Sequence, residues 1–370
     1  MLVDKLLEET NLSCEVFKGQ LTEEQCKGNI ENFIGSVPIP LGICGPIDIK
    51  GEFARGKFVV PMATEEGTLL ASYSRGCKIM NECNGVETFI YGDYFLRAGQ
   101  FMVNNLSDAK KLFAWCKEHE EEIEKSINES DRFIKVIEIG YDIIGTSIIV
   151  SLKLDTGDAM GSNMSSKAAD VLADYIYKHN KDLIKQHIAP WPEDKKYIPS
   201  RQKGKKVVAR VVLERETLTR IARVSLEMLD NFINSYKNLI ALHGGYSLNV
   251  HVANGMAALF QALGQDIAYI GECSQAIVDS NFIDKNHLEV SLTLPSLIIG
   301  TVGAGTGLPA FRTTLSMIDC YGTGKSKKLA EIMTAVILAG EISCCCAQCA
   351  MEFVAAHETM GKNDPLKITK

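Results

Sequence analysis

The chain of 370 residues lacks several features that would narrow its reading early. No run of about 18 apolar residues is free of charge, so a membrane-spanning helix is not expected. Its most apolar stretch, 333–356, is interrupted by Glu341 and Glu352. A basic excess is also missing: 39 Lys and Arg stand against 46 Asp and Glu, a net charge of −7 that gives nucleic acid no general field to follow. No internal repeat or low-complexity tract is present. With 46% hydrophobic and 23% charged residues, the composition excludes a disordered or fibrous protein. The opening Met1-Leu2-Val3-Asp4-Lys5 is acidic and amphipathic, unlike a cleavable signal. No second Cys-x-x-Cys accompanies Cys346-Ala347-Gln348-Cys349, and His357 offers at most a third ligand where zinc needs four, so no metal is expected. The 12 cysteines are scattered or packed side by side at Cys344-Cys345-Cys346. That is no disulfide framework, and it points to a reducing cytoplasm.

What is present suggests two or three domains at roughly 150 residues each. Residues 1–30 read as short charged helices, with Glu23-Glu24-Gln25 suiting the first turn of a helix that ends near Gly28. From 31 to 67, apolar runs cut by Gly and Pro read as strands and loops. Helix returns over 68–84, and a polar helix is expected over 104–130. Strand-like runs follow at 133–139 and 146–154, then a Gly-bearing loop feeding a helix. The basic, Pro-bearing stretch 180–206 reads as a mobile connection. Leu218, Ile221, Val224, Met228 and Phe232 recur at helical spacing and mark one amphipathic helix. An apolar β-branched run fills 289–302, and 327–360 forms one long helix or two. This alternation, flanked by glycine-rich apolar segments, suggests a smaller domain inserted into a larger one.

Six segments could carry chemistry, and each has a plain structural alternative. The run from Gly300 to Gly307 could present backbone N–H groups to an anion or could be an unliganded tight turn. It is not the dinucleotide fingerprint, because no Gly-x-Gly-x-x-Gly opens a helix with an acid about 20 residues on. Asp158 to Met164 could seat a nucleotide at a helix start, or Asp158 or Ser162 could simply cap that helix. Glu65-Glu66 are solvated first-turn charges unless one is buried and protonated near neutral pH. Asp194-Lys195-Lys196 is either surface or a carbonyl-polarising cation with its partner. Gly264-Gln265-Asp266 ends a small-residue helix, and His357 stands alone on the terminal one.

Taken together these segments resemble one family. Glu31-Asn32-Phe33-Ile34-Gly35, Pro61 to Gly67, Asp158 to Met164, Gly264-Gln265-Asp266 and Gly300 to Thr306 occur in the order seen in hydroxymethylglutaryl-CoA reductases. The terminal His357 follows them. The resemblance covers the whole chain after residue 30 and is to the compact, soluble form without the membrane anchor of the long forms.

The resemblance implies an α+β fold. A large thioester-binding domain would comprise 31–97 and 188–370, with a smaller nucleotide-binding domain inserted at 98–187 and a helical segment at 1–30. It implies a two-step, four-electron reduction of an acyl-CoA thioester to an alcohol by two reduced nicotinamides, without a metal. Glu66 matches the acid that protonates the carbonyl oxygen, and Lys195 the cation that stabilises the oxyanion. Asp266 matches a buried aspartate between them, and His357 the proton donor to the leaving coenzyme A thiolate. Arg97, Lys196 and Lys237 match residues that hold the substrate's free carboxylate beside Asp194. Arg75, His251 and Asn254 match positions that contact coenzyme A or shape its pocket. Asp158, Met160, Gly161 and Asn163, with Gly303, Ala304, Gly305 and Thr306, match the nicotinamide nucleotide site. The family's sites lie between protomers, which implies a homodimer or larger assembly.

The chain departs from the family in three places. Ile188-Ala189-Pro190-Trp191-Pro192-Glu193 replaces a segment that helps seat the acyl group, Glu65 stands for a threonine, and the link from Lys237 to His251 is shortened. A second reading is therefore a reductase of another acyl-CoA on the same scaffold, or a thioester-binding homologue with impaired catalysis. At the nucleotide's far end, Asp131-Arg132-Phe133 stands where enzymes using NADPH often carry Ser-Arg-Phe. Arg132 keeps a cation for a 2′-phosphate. Asp131 would repel that phosphate, accept from a free ribose hydroxyl as acids do in dinucleotide folds, or turn away and pair with Lys135. The expectation is NADPH use with NADH as a competent donor.

Overall fold

The computed structural model describes residue 19 and residues 21–189 and 194–356. It is a mixture of helices and strands arranged as two sheets that share one long strand. The first described helix, α1 (Glu23–Cys26), opens with Thr22 and Gln25 in a reciprocal capping box. The hairpin β1 (Leu41–Lys50) and β2 (Arg55–Ala63) follows, then α2 (Leu69–Glu82).

Strand β3 (Val86–Val103) organises everything after it. Its first half, Glu87 to Tyr94, pairs antiparallel with β7 (Gly204–Glu214). Its second half, Phe95 to Met102, pairs antiparallel with β5 (Ser147–Asp155). The large sheet runs β2-β1-β3-β7-β9-β8, with β8 at Ile277–Asp284 and β9 at His287–Leu297. The small sheet adds β4 (Lys135–Ile144) outside β5, and β6 (Ile184–Ile188) on the other side of β3. Its strands and the helices α3 (Leu106–Glu118), α4 (Glu120–Ser130) and α5 (Ser162–His179) enclose a separate apolar core from Phe101 to Ile184.

The larger core gathers around α11 (Ser326–Cys349). This helix is long and apolar enough to cross a membrane, yet its apolar window is wholly buried inside the protein. It crosses α2 so closely that a Cβ on Gly76 would lie 1.9 Å from the Ala339 carbonyl oxygen. Two buried acids on α11 are satisfied by backbone amides. Glu331 accepts from Phe53 and Ala54 at 2.9 and 2.5 Å, and Glu341 from Val250 and His251 at 2.8 and 2.7 Å. Burial pushes the Glu331 carboxyl up, against the pull of those amides. The remaining helices are α6 (Arg215–Ala222), α7 (Leu226–Leu242), α8 (Val252–Ala262), α9 (Ile270–Cys273), α10 (Pro309–Met317) and α12 (Phe353–Ala356).

Three sequence expectations need correction, and a fourth, the one or two helices over 327–360, is resolved. The polar helix 104–130 is two helices that break at His119. The amphipathic stripe also spans two, α6 and α7. They are separated by Arg223 at φ +57°, so Leu218 and Val224 are buried while Met228 is exposed. The supposed mobile connection 180–206 contains β6 and the start of β7. The segment 327–360 is one long helix followed by a short one. The cysteines of the described residues are free thiols, all buried except Cys349.

Candidate active site

Three loops converge at the boundary between the two cores. Gly300 sits so close to the loop before α5 that a Cβ there would lie 2.6 Å from the Met160 amide nitrogen. No other residue type fits that approach. A parallel bridge joins Ala159 to Val302, and the Thr301 amide donates to the Asp158 carbonyl at 2.9 Å. Gln265 locks the third loop on: its side-chain oxygen accepts from the Gly300 amide at 2.9 Å, and its nitrogen donates to the Gly300 carbonyl at 3.0 Å.

Around this junction lies a cavity of about 980 Å³ lined by Ala159 to Met164, Gly300, Val302 to Thr306, Gly264 to Ile267, and by Arg97, Lys167, Asp194 and Lys195. Helix α5 starts at its wall, with Gly161 at the cap position and no side chain bonding its first amides. Free amides at the positive end of a helix of 18 residues, beside a glycine turn, suit the pyrophosphate of a dinucleotide. The shape and donor set therefore fit a nicotinamide dinucleotide.

Asp158 does not face this cavity. Its carboxylate accepts from the Gly324 and Ser326 amides at 2.6 and 3.0 Å. Burial would raise its pKa, but those amides prevail and hold it below the usual carboxylate range. It ties the loop to the start of α11, which corrects its placement among the nucleotide contacts.

Lys195 and Asp266 meet at this cavity, Nζ to Oδ2 at 3.3 Å. In the single protomer Asp266 is 37% exposed where the cavity opens to solvent, and Glu66 lines a different cavity. The preceding residue, Asp194, accepts at Oδ1 from Arg97 at 3.1 Å and from the Tyr269 hydroxyl at 2.8 Å. Arg97 is 1% exposed and also donates to Ser162 and to its own Leu96 carbonyl. Lys196 is exposed beside this pair. The loop's far end is anchored by a wholly buried pair, Lys203 to Glu272 at 2.6 and 2.7 Å, with Ser296 donating to the same carboxylate.

Glu66 lies at the opposite end of α8, in a smaller cavity lined by Arg75, His251, Cys344 and Phe353. The Asn254 side chain donates to both of its carboxylate oxygens, at 3.2 and 2.9 Å. Arg75 is held by Ser343 Oγ and its carbonyl, at 3.0 and 2.7 Å. His251 stacks on Tyr73, and its Nδ1 stands 3.3 Å from Glu341 Oε1, at ion-pair range without hydrogen-bond geometry. Burial works to lower the pKa of His251. Cys344 and Glu341 overcome it, and the pKa is pushed up to about 10. Lys237 is elsewhere, paired with Asp279 beside Asn249 and Val250.

Asp131, which is not part of the cavity's lining, is spent locally. Oδ1 accepts from the Phe133 amide at 3.0 Å, and Oδ2 faces Lys167 at 3.5 Å rather than Lys135. Arg132 stacks on Phe133 at 4.4 Å. His357 and Pro190 to Glu193 lie outside the described residues, and no group of three potential metal ligands occurs among the described ones. The sequence reading missed Tyr269 and Lys167, whose partners are distant in the chain.

Comparison with known proteins agrees across the chain. A family described as hydroxymethylglutaryl-coenzyme A reductase matches residues 2–362. A 3-hydroxy-3-methylglutaryl-coenzyme A reductase of Pyrococcus abyssi is 36% identical over 348 residues, 90% of this chain and 85% of that protein. One of Methanocaldococcus jannaschii is 36% identical over 353 residues, covering 92% and 86%. Among solved structures, a reductase of Streptococcus pneumoniae superposes with a TM-score of 0.70 at 19% identity, covering 94% of this chain and 96% of that one. A class II reductase of the same organism bound to NADPH in open conformations gives 0.70 at 18%, covering 94% and 83%.

Proposed function

The chain belongs to the hydroxymethylglutaryl-coenzyme A reductase family, and from that premise we propose how its residues divide the reduction of hydroxymethylglutaryl-CoA to mevalonate and free coenzyme A. The nicotinamide dinucleotide, when bound, supplies a hydride for each of two steps through mevaldehyde. The large cavity takes it: the α5 amides and the Gly303–Thr306 turn face its pyrophosphate, with Met160 and Asn163 lining the wall. The inserted domain, 98–187, provides the nucleotide side, and 31–97 with 188–370 provide the thioester side.

Lys195 meets the carbonyl oxygen as negative charge develops, an interaction worth several kcal/mol in a site closed to water. Asp266 holds its ammonium. Glu66, fixed by Asn254, is the proton donor to that oxygen. Arg75 and His251 shape the coenzyme A side, Lys196 meets the substrate's free carboxylate, joined by Lys237 only if it leaves Asp279, and His357 protonates the departing thiolate. Arg97 serves by gripping Asp194.

The observation that carries this reading is the separation of the groups. In one protomer Lys195 and Asp266 line one cavity while Glu66, Arg75 and His251 line another. A homodimer with its active sites between protomers brings the two sets together. An exposed apolar row supports it: Ile34, Val37, Ile39, Leu41 and Ile43 lie open on the surface, and Ile39 is on the rim of the large cavity. Buried free thiols suit a reducing cytoplasm.

Oxidation of reduced nicotinamide, followed optically with a panel of acyl-CoA thioesters, tests the function. Turnover with hydroxymethylglutaryl-CoA is expected, and turnover only with another acyl-CoA would overturn the substrate. For the cofactor, Lys167 lines the cavity with Asp131 3.5 Å from its ammonium, and on this reading NADPH is used and NADH is a competent donor. Asp131→Ser should raise the NADPH preference several-fold. A wild-type preference above ~100-fold, about 2.7 kcal/mol, would contradict the reading.

A further inference from the structure

One short turn holds both members of the dipeptide Asp194-Lys195. Asp266 begins a single 3₁₀ turn, Ile267–Tyr269, in which its own carboxylate accepts from the Ala268 amide and its carbonyl from the Tyr269 amide, both at 3.0 Å. From the first residue of this turn, Asp266 Oδ2 reaches Lys195. From its last, the Tyr269 hydroxyl donates to Asp194 Oδ1 at 2.8 Å, and the ring lies 5.5 Å from the Lys195 ammonium. Residues three apart on the turn thus grip residues one apart on the loop.

Lys195 needs such a grip. Its φ is +55°, a left-handed conformation costly for a residue with a side chain and kept only where the surroundings over-determine it. Tyr269 is wholly buried. Burial, aided by the Asp194 carboxylate, holds its phenol well above the ordinary range, so it keeps its proton and stays a hydrogen-bond donor. Arg97 reaches the same Asp194 oxygen, but from β3. Only Tyr269 shares a rigid turn with Asp266.

We infer that Tyr269 is a positioning residue for the reduction: its hydroxyl fixes Asp194, and through it places the Lys195 ammonium against Asp266 in register with the substrate carbonyl. This rests on Lys195 being the oxyanion partner. The phenol takes no part in bond making. It sets where the cation stands, an effect that a displacement of about 1 Å is enough to erase.

Tyr269→Phe keeps the ring and its packing and removes only the hydroxyl. We expect kcat to fall about tenfold, with the KM for the nicotinamide cofactor and the thermal unfolding midpoint nearly unchanged. Lys195, released from its register, should be acetylated several-fold faster by acetic anhydride on the folded protein, read by mass spectrometry of the peptide that carries Lys195. Tyr269→Phe in an Asp194→Asn background should add little to the loss caused by Asp194→Asn alone, since the two would break one link. A kcat within twofold of wild type, a fall in kcat without faster Lys195 labelling, or fully additive losses in the double variant would each overturn the inference. Lys195→Ala in the same series separates the two levels. If it retains turnover, the oxyanion assignment itself is wrong; if it is inactive while Tyr269→Phe is unimpaired, only the role of Tyr269 fails.

Discussion

The two cavities of the protomer are built from different materials. The large one is made of loops, its walls set by backbone: the contact of Gly300 with Met160, the double bond of Gln265 to Gly300, the uncapped start of α5. Its working side chains, Lys195 and Asp266, stand partly in solvent. The small cavity is made of helices, α2 and α11 with the start of α8; Glu66 and Asn254 are exposed at its mouth, while His251 behind them stands against the buried Glu341 of the large core. A loop-built site owes its shape to a few residues that tolerate no Cβ or no other side chain. A helix-built site owes it to the packing of its helices, here with the His251–Glu341 pair behind it. Substitutions should therefore harm function without stability at the first, and both together at the second.

The largest effect is expected at Lys195. Lys195→Ala should lower turnover by at least about a hundredfold, the usual cost of a lost oxyanion partner. Its unfolding midpoint should not move, because a side chain 44% exposed contributes little to the fold. Retention of more than about a tenth of wild-type turnover, a loss of only ~1.4 kcal/mol of barrier stabilisation, would contradict the role.

Gly300→Ala comes next. The new methyl group must displace the Met160 backbone, so the KM for the nicotinamide cofactor should rise about tenfold while that for the thioester stays near wild type. Steady-state kinetics varying each substrate in turn will show it. An equal rise in both would mean that the loops do not serve the nucleotide alone.

His251 gives the smaller effect, one on stability. Its folded pKa, about 10, lies above the unfolded value near 6.5, so its protonated form stabilises the native state. That contribution is complete below about pH 6.5 and fades as pH rises toward 10. Thermal unfolding of wild type should accordingly weaken across pH 7–10, and His251→Gln should start lower and follow a flatter curve over that window. Parallel curves would show that the charge on His251 does not hold the helices together.

The contrast also explains what could be read from the sequence. The loop-built cavity was legible because glycine, an amide and a carboxylate in fixed local order are its physical requirements. Gly161, Gly300 and Gln265 therefore stand inside the motifs themselves. The helix breaks were not, since His119 and Arg223 end helices without a glycine or proline to mark them, and Arg223 adopts the left-handed conformation anyway. Strand β7 was hidden by Lys203 and Lys205, charges that read as a solvated linker yet are buried against Glu272 and Asp93. Asp158 was misplaced because a carboxylate beside a nucleotide loop and one capping a distant helix start look alike until Gly324 and Ser326 come into view. Tyr269 left no signal, because its partner lies 75 residues away.

The central claim is that the two cavities cooperate across a protomer boundary, and subunit mixing tests it most directly. Glu66→Gln and Lys195→Ala chains, each inactive alone, would be denatured together in equal amounts and refolded. If Glu66 of one protomer serves Lys195 of the other, half the dimers are mixed and each has one intact site, so about a quarter of wild-type turnover returns. If both residues served the same protomer's site, every site would carry one substitution, and a mixture as inactive as its parents would contradict the account.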